Sequence, residues 1–239
     1  MPHYYTLGQI PRKRHTQFRK PNGGLYSEQL ISTEGFSDIL SLTYHVYEPT
    51  RILSIDEAYS VAPEIALERN MQHRSYQGFN IKPSGHYLRS RVPVLVNEDA
   101  YISLATPQKG TDGYFFRNAM ADEIVFIHEG EGVFKSMFGQ IPFSYGDQLV
   151  IPRGTIYQME FKNEINRLFI LESFSPIRFP KRYMNRDGQL LEHSPFCERD
   201  ISKPQNLETF DEKGDFKMLV KKQDMIYPVS YTHLRAHET

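Results

Sequence analysis

Two residue types are nearly missing from this 239-residue chain: it has one cysteine, Cys197, and no tryptophan. A lone thiol excludes an intramolecular disulfide and any paired-cysteine metal or redox motif, and it fits a reducing compartment, so the chain is read as cytoplasmic. Excess charge is missing too. The 28 Lys+Arg and 29 Asp+Glu leave a net charge of −1, which gives no general attraction for nucleic acid. No apolar run approaches the roughly 20 residues of a membrane helix. The N-terminus is polar and basic, without the apolar core of a secretory signal. No glycine-rich nucleotide loop, internal repeat or low-complexity segment is visible. What remains is a soluble globular protein with no nucleic-acid or membrane partner.

Aromatic residues are abundant, with 15 Tyr and 16 Phe beside 15 Gly and 15 Pro. Aromatic enrichment with regular turn residues favours strands. Eight short apolar or alternating runs follow one another at 92–96, 102–105, 114–116, 124–128, 132–137, 148–151, 157–161 and 167–172. Their spacing predicts a mainly β fold, a sandwich or jelly roll over residues 76–175. Residues 1–75 read as an extended N-terminal arm. Ser54-Ile55-Asp56-Glu57 has capping-box spacing and predicts a short helix from Ile55 to just before Pro63. Residues 176–229, with Pro176, Pro180, Pro195 and Pro204, read as a strap, and 217–225 could add one more strand.

Residues 110–161 carry a spaced pattern. Gly110, Phe116, Asn118, Glu123 and Gly130 are followed by Gly146, Pro152, Gly154, Tyr157 and Phe161. The spacing resembles the two metal-site motifs of cupin barrels, G-x5-H-x-H-x4-E-x6-G and G-x5-P-x-G-x2-H-x3-N. Here Phe116, Asn118 and Tyr157 stand at the histidine positions. Iron or zinc in such a barrel needs neutral imidazoles beside a carboxylate, and Glu123 alone cannot supply that. The sequence therefore assigns no metal, cofactor or catalytic residue to this barrel. His128, an odd number of positions from Glu123, is expected on the opposite strand face.

Three other groups invite a chemical reading. Glu192, His193, Ser194 and Cys197 suggest a hydrolase or metal site, but neighbours on an extended chain point apart, so a hydrogen-bonded strap is preferred. His233 and His237 with Glu238 have helical metal-ligand spacing. They lie in 230–239, a stretch that resembles a translated cloning adaptor and is read as foreign. Arg12, Lys13, Arg14, Arg19 and Lys20 form a basic cluster around Phe18. A solvated arm paired with acidic side chains is preferred there to a nucleic-acid contact.

Taken together, the stretches 14–19 (RHTQFR), 24–30 (GLYSEQL), 123–132 (EIVFIHEGEG), 146–155 (GDQLVIPRGT) and 188–200 (GQLLEHSPFCERD) resemble the homogentisate 1,2-dioxygenase family in its bacterial form. The resemblance runs from about Tyr4 to Pro228. It implies two cupin-like halves: a metal-free N-terminal half, and a C-terminal half whose two histidines and one glutamate hold Fe(II). It implies conversion of homogentisate and O2 to maleylacetoacetate, in tyrosine and phenylalanine breakdown, by trimers or hexamers. The catalytic residues would follow Pro228, so this chain is expected to be an inactive N-terminal fragment. Two alternatives stay open: a stand-alone metal-free cupin that binds a small aromatic or sugar ligand, and a metal-dependent cupin isomerase.

Overall fold

Alternation of buried and outward side chains sorts the middle of the chain into two facing sheets. The computed structural model describes residues 12, 16–48, 52–67, 72–204 and 214–232. The strands are β1 (Ser27–Glu34), β2 (Ser37–His45), β3 (Ile52–Ile55), β4 (Tyr59–Ser60), β5 (Arg91–Val96), β6 (Ala100–Ala105), β7 (Phe115–Asn118) and β8 (Asp122–Glu129). They continue as β9 (Gly132–Ser136), β10 (Gly139–Phe143), β11 (Gln148–Ile151), β12 (Ile156–Phe161), β13 (Arg167–Ser173), β14 (Asp215–Lys222) and β15 (Met225–Thr232).

One sheet runs β11-β8-β13-β6-β5. The other runs β10-β9-β12-β7-β14-β15-β3, with β4 also on β15. From β6 to β13 the chain passes back and forth between the two sheets, the connectivity of a cupin-like jelly roll. The mainly β reading of the sequence holds. In β8, Val125 and Ile127 are fully buried with Glu123, and the residues between them face outward. The core between the sheets gathers Tyr87, Phe116, Val125, Ile127, Phe134, Tyr157, Met159 and Ile170. A second cluster on the other face of the larger sheet centres on Met218, Val229 and Tyr231.

The helix expected from Ile55 does not form. Ile52–Ile55 is strand β3 on the edge of β15, with Val229 opposite Ile55, and the Asp56 N–H donates to the Pro228 carbonyl at 2.9 Å. A partner strand contributed by distant sequence overrides the local capping signal. Strand β10, which the sequence reading passed over, is a hairpin partner of β9.

Within the arm, β1 and β2 form a hairpin that no third strand joins among the described residues, while β3 and β4 pair with β15. Arg12 and Arg19 are exposed, as a solvated arm requires, but Arg19 and Lys20 do not pair with acidic side chains among the described residues. Lys20 Nζ donates to the Val46 carbonyl at 2.6 Å, and the Arg19 guanidinium to Gln17 Oε1 and the Gly23 carbonyl. Backbone carbonyls and an amide, not acidic side chains, satisfy them. Lys13 and Arg14 lie outside the described residues.

At the other end, β14 and β15 form a hairpin, and β14 runs parallel to β7 with Met218 beside Phe115. Part of the segment read as a strap is thus built into the sheet. Ser230 and Tyr231 belong to β15, and Tyr231 is buried. His233, His237 and Glu238 lie outside the described residues.

Candidate functional site

The four positions marked by the spaced pattern converge inside the jelly roll. Phe116 and Asn118 on β7, Glu123 on β8 and Tyr157 on β12 are each 0–3% exposed. Tyr157 stands opposite Phe116 in the β7–β12 register. The retained glycines shape turns and close contacts. Gly154 has φ +87°, a region that favours glycine, and its N–H donates to the Asn118 carbonyl at 2.8 Å. Gly110 lies so close to β12 that an added Cβ would sit 1.8 Å from the Met159 carbonyl oxygen.

Glu123 is already satisfied. Arg91 Nη1 donates to its Oε1 at 2.7 Å, and the Tyr157 hydroxyl donates to its Oε2 at 2.8 Å. The guanidinium carbon lies 4.6 Å from the centroid of the Tyr87 ring and 5.4 Å from that of Phe116. Arg91 Nη2 also reaches the Tyr157 hydroxyl at 3.4 Å. Arg91 opens β5 opposite Ala105, in phase with the interior, and the turn closed by Ser90 N–H on the His86 carbonyl brings Tyr87 in beside it.

A second carboxylate completes the charge. Glu172 on β13 is the register neighbour of Glu123. Its Oε1 accepts from Lys221 Nζ at 2.7 Å and Asn118 Nδ2 at 2.8 Å, and lies 3.8 Å from Arg91 Nη1. Asn118 is locked in turn, its Oδ1 accepting the Met120 and Ala121 N–H groups. Two cations face two anions, so this cluster carries no net charge, a condition for tolerating buried ions.

The neighbours decide the protonation states. Burial alone would push the Glu172 carboxyl up, but Arg91 and Lys221, with hydrogen bonds from Lys221 and Asn118, hold it below the ordinary glutamate value. Burial pushes the Tyr157 phenol well above its ordinary value, and the Glu123 charge adds to this. Burial raises Tyr87 to about 12, against the opposing pull of Arg91. These phenols are hydrogen-bond donors and ring walls at neutral pH, not bases.

This constellation does not fit an iron ion. A phenyl ring, a carboxamide committed to Glu172 and a protonated phenol stand where imidazoles would be, and the carboxylate is neutralised by a guanidinium. Among the described residues, no three His, Cys, Asp or Glu side chains group to hold a metal.

The sequence reading singled out Phe116, Asn118, Glu123 and Tyr157 only as positions without a metal or catalytic role, and it passed over Arg91, Glu172, Lys221 and Tyr87. The available signal was phase. Glu172 falls in phase with buried Leu168 and Ile170, and Lys221 with inward Leu219. His128 does face outward, against the Phe79 ring at 5.0 Å between centroids. His193 is exposed in the strap, while Cys197 is buried with Arg199 Nε on its sulfur at 3.3 Å. Glu192 is exposed beside them, and the charges of His193 and Arg199 help to hold its carboxyl below the ordinary value. On the outer face of the smaller sheet, a groove of about 360 Å³ is lined by Tyr76, Phe79, Phe126, His128, Arg167 and Phe169 among others.

No family model matches this sequence. Among solved structures, it is similar to a cupin-2 domain containing protein from Shewanella frigidimarina (20% identity, 37% of this chain and 81% of that one, TM-score 0.32). It is also similar to the Schizosaccharomyces pombe Cnp3 cupin domain (11% identity, 36% and 64%, TM-score 0.33). Among curated sequences, the chain is 38% identical over 221 residues to a Saccharolobus solfataricus protein named "Putative dioxygenase". That match takes in 92% of this chain and 56% of the relative, so the chain spans little more than half the length of the protein it is similar to.

Proposed function

We propose that this chain is the N-terminal, non-catalytic half of an Fe(II)-dependent ring-cleaving dioxygenase of the homogentisate type. The observation that carries the reading is the 38% identity, over nearly the whole chain, to a longer protein named "Putative dioxygenase". The closed Arg91–Glu123 site supports it, because it leaves this half no place for the iron chemistry. The proposed reaction places both atoms of O2 in homogentisate to give maleylacetoacetate, and the iron donors belong to residues outside this chain.

The surface of the smaller sheet also supports a larger whole. Val92, Leu95, Val150 and Phe169 face outward and are 38–61% exposed, around Ile102, Leu104, Ile124 and Phe126 in register. An antiparallel sheet with a solvated face ordinarily shows polar residues there, and a contiguous apolar face marks a contact surface. We assign it to packing within the whole enzyme, whose trimeric or hexameric assembly is part of the proposal. The test is ring cleavage by this chain with ferrous iron, compared with a chain extended through the length of the relative. Activity in the extended chain alone supports the reading; activity in the short chain overturns it.

The groove beside Phe79 favours one second reading, a stand-alone sandwich that binds a small aromatic ligand. Its walls are aromatic. Arg167 at its rim is tied to Glu129 at 2.9 Å and to the Phe79 carbonyl at 3.1 Å. Saturable binding of a phenolic acid to this chain, abolished by Phe169→Asp, is the result that would favour it.

A further inference from the structure

We propose that Arg91 is the resident cation of this jelly roll, filling the space among the metal-ligand positions, and that the pocket it occupies is selective for a planar guanidinium. The inference rests on the geometry around Arg91 and is independent of the dioxygenase reading.

Each side of the guanidinium has a matching group. Its central carbon lies over the Tyr87 and Phe116 rings, 4.6 and 5.4 Å from their centroids, a placement that suits a delocalised, weakly hydrated cation. Its edge meets Glu123 Oε1 at 2.7 Å, the Tyr157 hydroxyl at 3.4 Å and Glu172 Oε1 at 3.8 Å. Phe116, Glu123 and Tyr157 all stand at motif positions, and the fourth, Asn118, reaches Arg91 through Glu172. An ammonium ion lacks the delocalised planar group and the paired terminal nitrogens that these neighbours contact. A divalent ion would find one open carboxylate at most, because Glu172 is taken up by Lys221 and Asn118.

Arg91 Nε is buried and has no hydrogen-bond partner among the described residues. Polar recognition therefore lies in the two terminal nitrogens and not in the stem. A small guanidinium free in solution carries every group that the pocket reads.

The experiment is chemical rescue. Arg91→Ala leaves a cavity with two buried carboxylates and only Lys221 against them, so its melting temperature falls. Guanidinium or methylguanidinium, at concentrations well below the denaturing range, should raise that melting temperature saturably, because a ligand bound only by the folded state stabilises it. Ammonium should not do so. Neither should guanidinium act on the unsubstituted chain or on the Arg91→Ala, Glu123→Gln double variant. A variant that folds but ignores guanidinium, or responds equally to ammonium, overturns the proposal. Should Arg91→Ala fail to fold, Arg91→Lys decides: charge without the plane should lower the melting temperature, and an unchanged melt overturns the selectivity. The unsubstituted chain, dialysed against ferrous iron or zinc, should retain no stoichiometric metal. One metal per chain that Glu123→Gln abolishes would also overturn it.

Discussion

Arg91 and Tyr157 divide the Glu123 carboxylate between them, the guanidinium on Oε1 at 2.7 Å and the phenol on Oε2 at 2.8 Å. Both oxygens accept from donors fixed on other strands, one of them a charge-assisted pair. Neither oxygen of this carboxylate is left without a side-chain donor.

Removing the charge of Glu123 should therefore be costly. Glu123→Gln leaves Arg91 short of its main counter-ion inside the core, and breaking a buried pair in this way costs about 3–5 kcal/mol. Urea unfolding should show a lower midpoint at an unchanged slope. A loss below about 1 kcal/mol would mean that Arg91 relaxes to another partner.

Introducing a histidine should not create a metal site. In Tyr157→His the new imidazole faces Arg91, so metal analysis after dialysis against zinc or ferrous iron should find none bound. Stoichiometric metal in that variant would contradict the account of the site.

Stability should fall at both pH extremes, for different reasons. Glu172 has a depressed folded-state pKa, so its contribution is present above the unfolded carboxylate value of about 4.3 and is lost as the pH drops through the lower folded value. Glu172→Gln should flatten this acid limb. Tyr87 has a raised value of about 12, so its contribution is intact below about pH 10 and is lost as the pH rises from there toward the folded value. Phenolate absorbance should show late-titrating tyrosines that merge with the rest on unfolding.

Gly110→Ala should abolish folding of the sandwich. The new methyl group would sit 1.8 Å from the Met159 carbonyl oxygen and 2.9 Å from its carbon. Both are backbone atoms of β12, so no side chain can swing aside. Soluble, cooperatively melting protein would show that β12 can shift.

Gln223→Gly should stabilise the chain by about 1 kcal/mol. Gln223 and Asp224 hold φ of 51° and 55° in the β14–β15 turn, without being glycine. Asp224 should be left alone, because its carboxylate accepts from the Tyr101 hydroxyl at 3.0 Å. Thermal melting checks the sign.

The sequence showed the jelly roll because each strand carries its own alternation, and because turn glycines such as Gly154 must stand at fixed intervals. The same spacing led to Phe116, Asn118, Glu123 and Tyr157, which lie on neighbouring strands. Arg91, Glu172 and Lys221 escaped because their partners come from β8, β13 and β14, and no local pattern joins them. Ile55 was misread for a related reason: its capping signal is local, while the β15 edge that extends it comes from the far end of the sequence. The motif thus marked where the site lies but not that an arginine fills it.

The parallel seating of β14 beside β7 sets an order of events for the growing chain. Glu172 and Asn118 are synthesised well before Lys221, and β7 waits with an open edge until the final hairpin arrives. Pairing across such sequence separation is slow, and an unpaired edge invites association with other chains. A nascent chain halted between β13 and β14 should therefore be a chaperone substrate, with an unsealed edge and the Glu172 carboxylate short of its lysine.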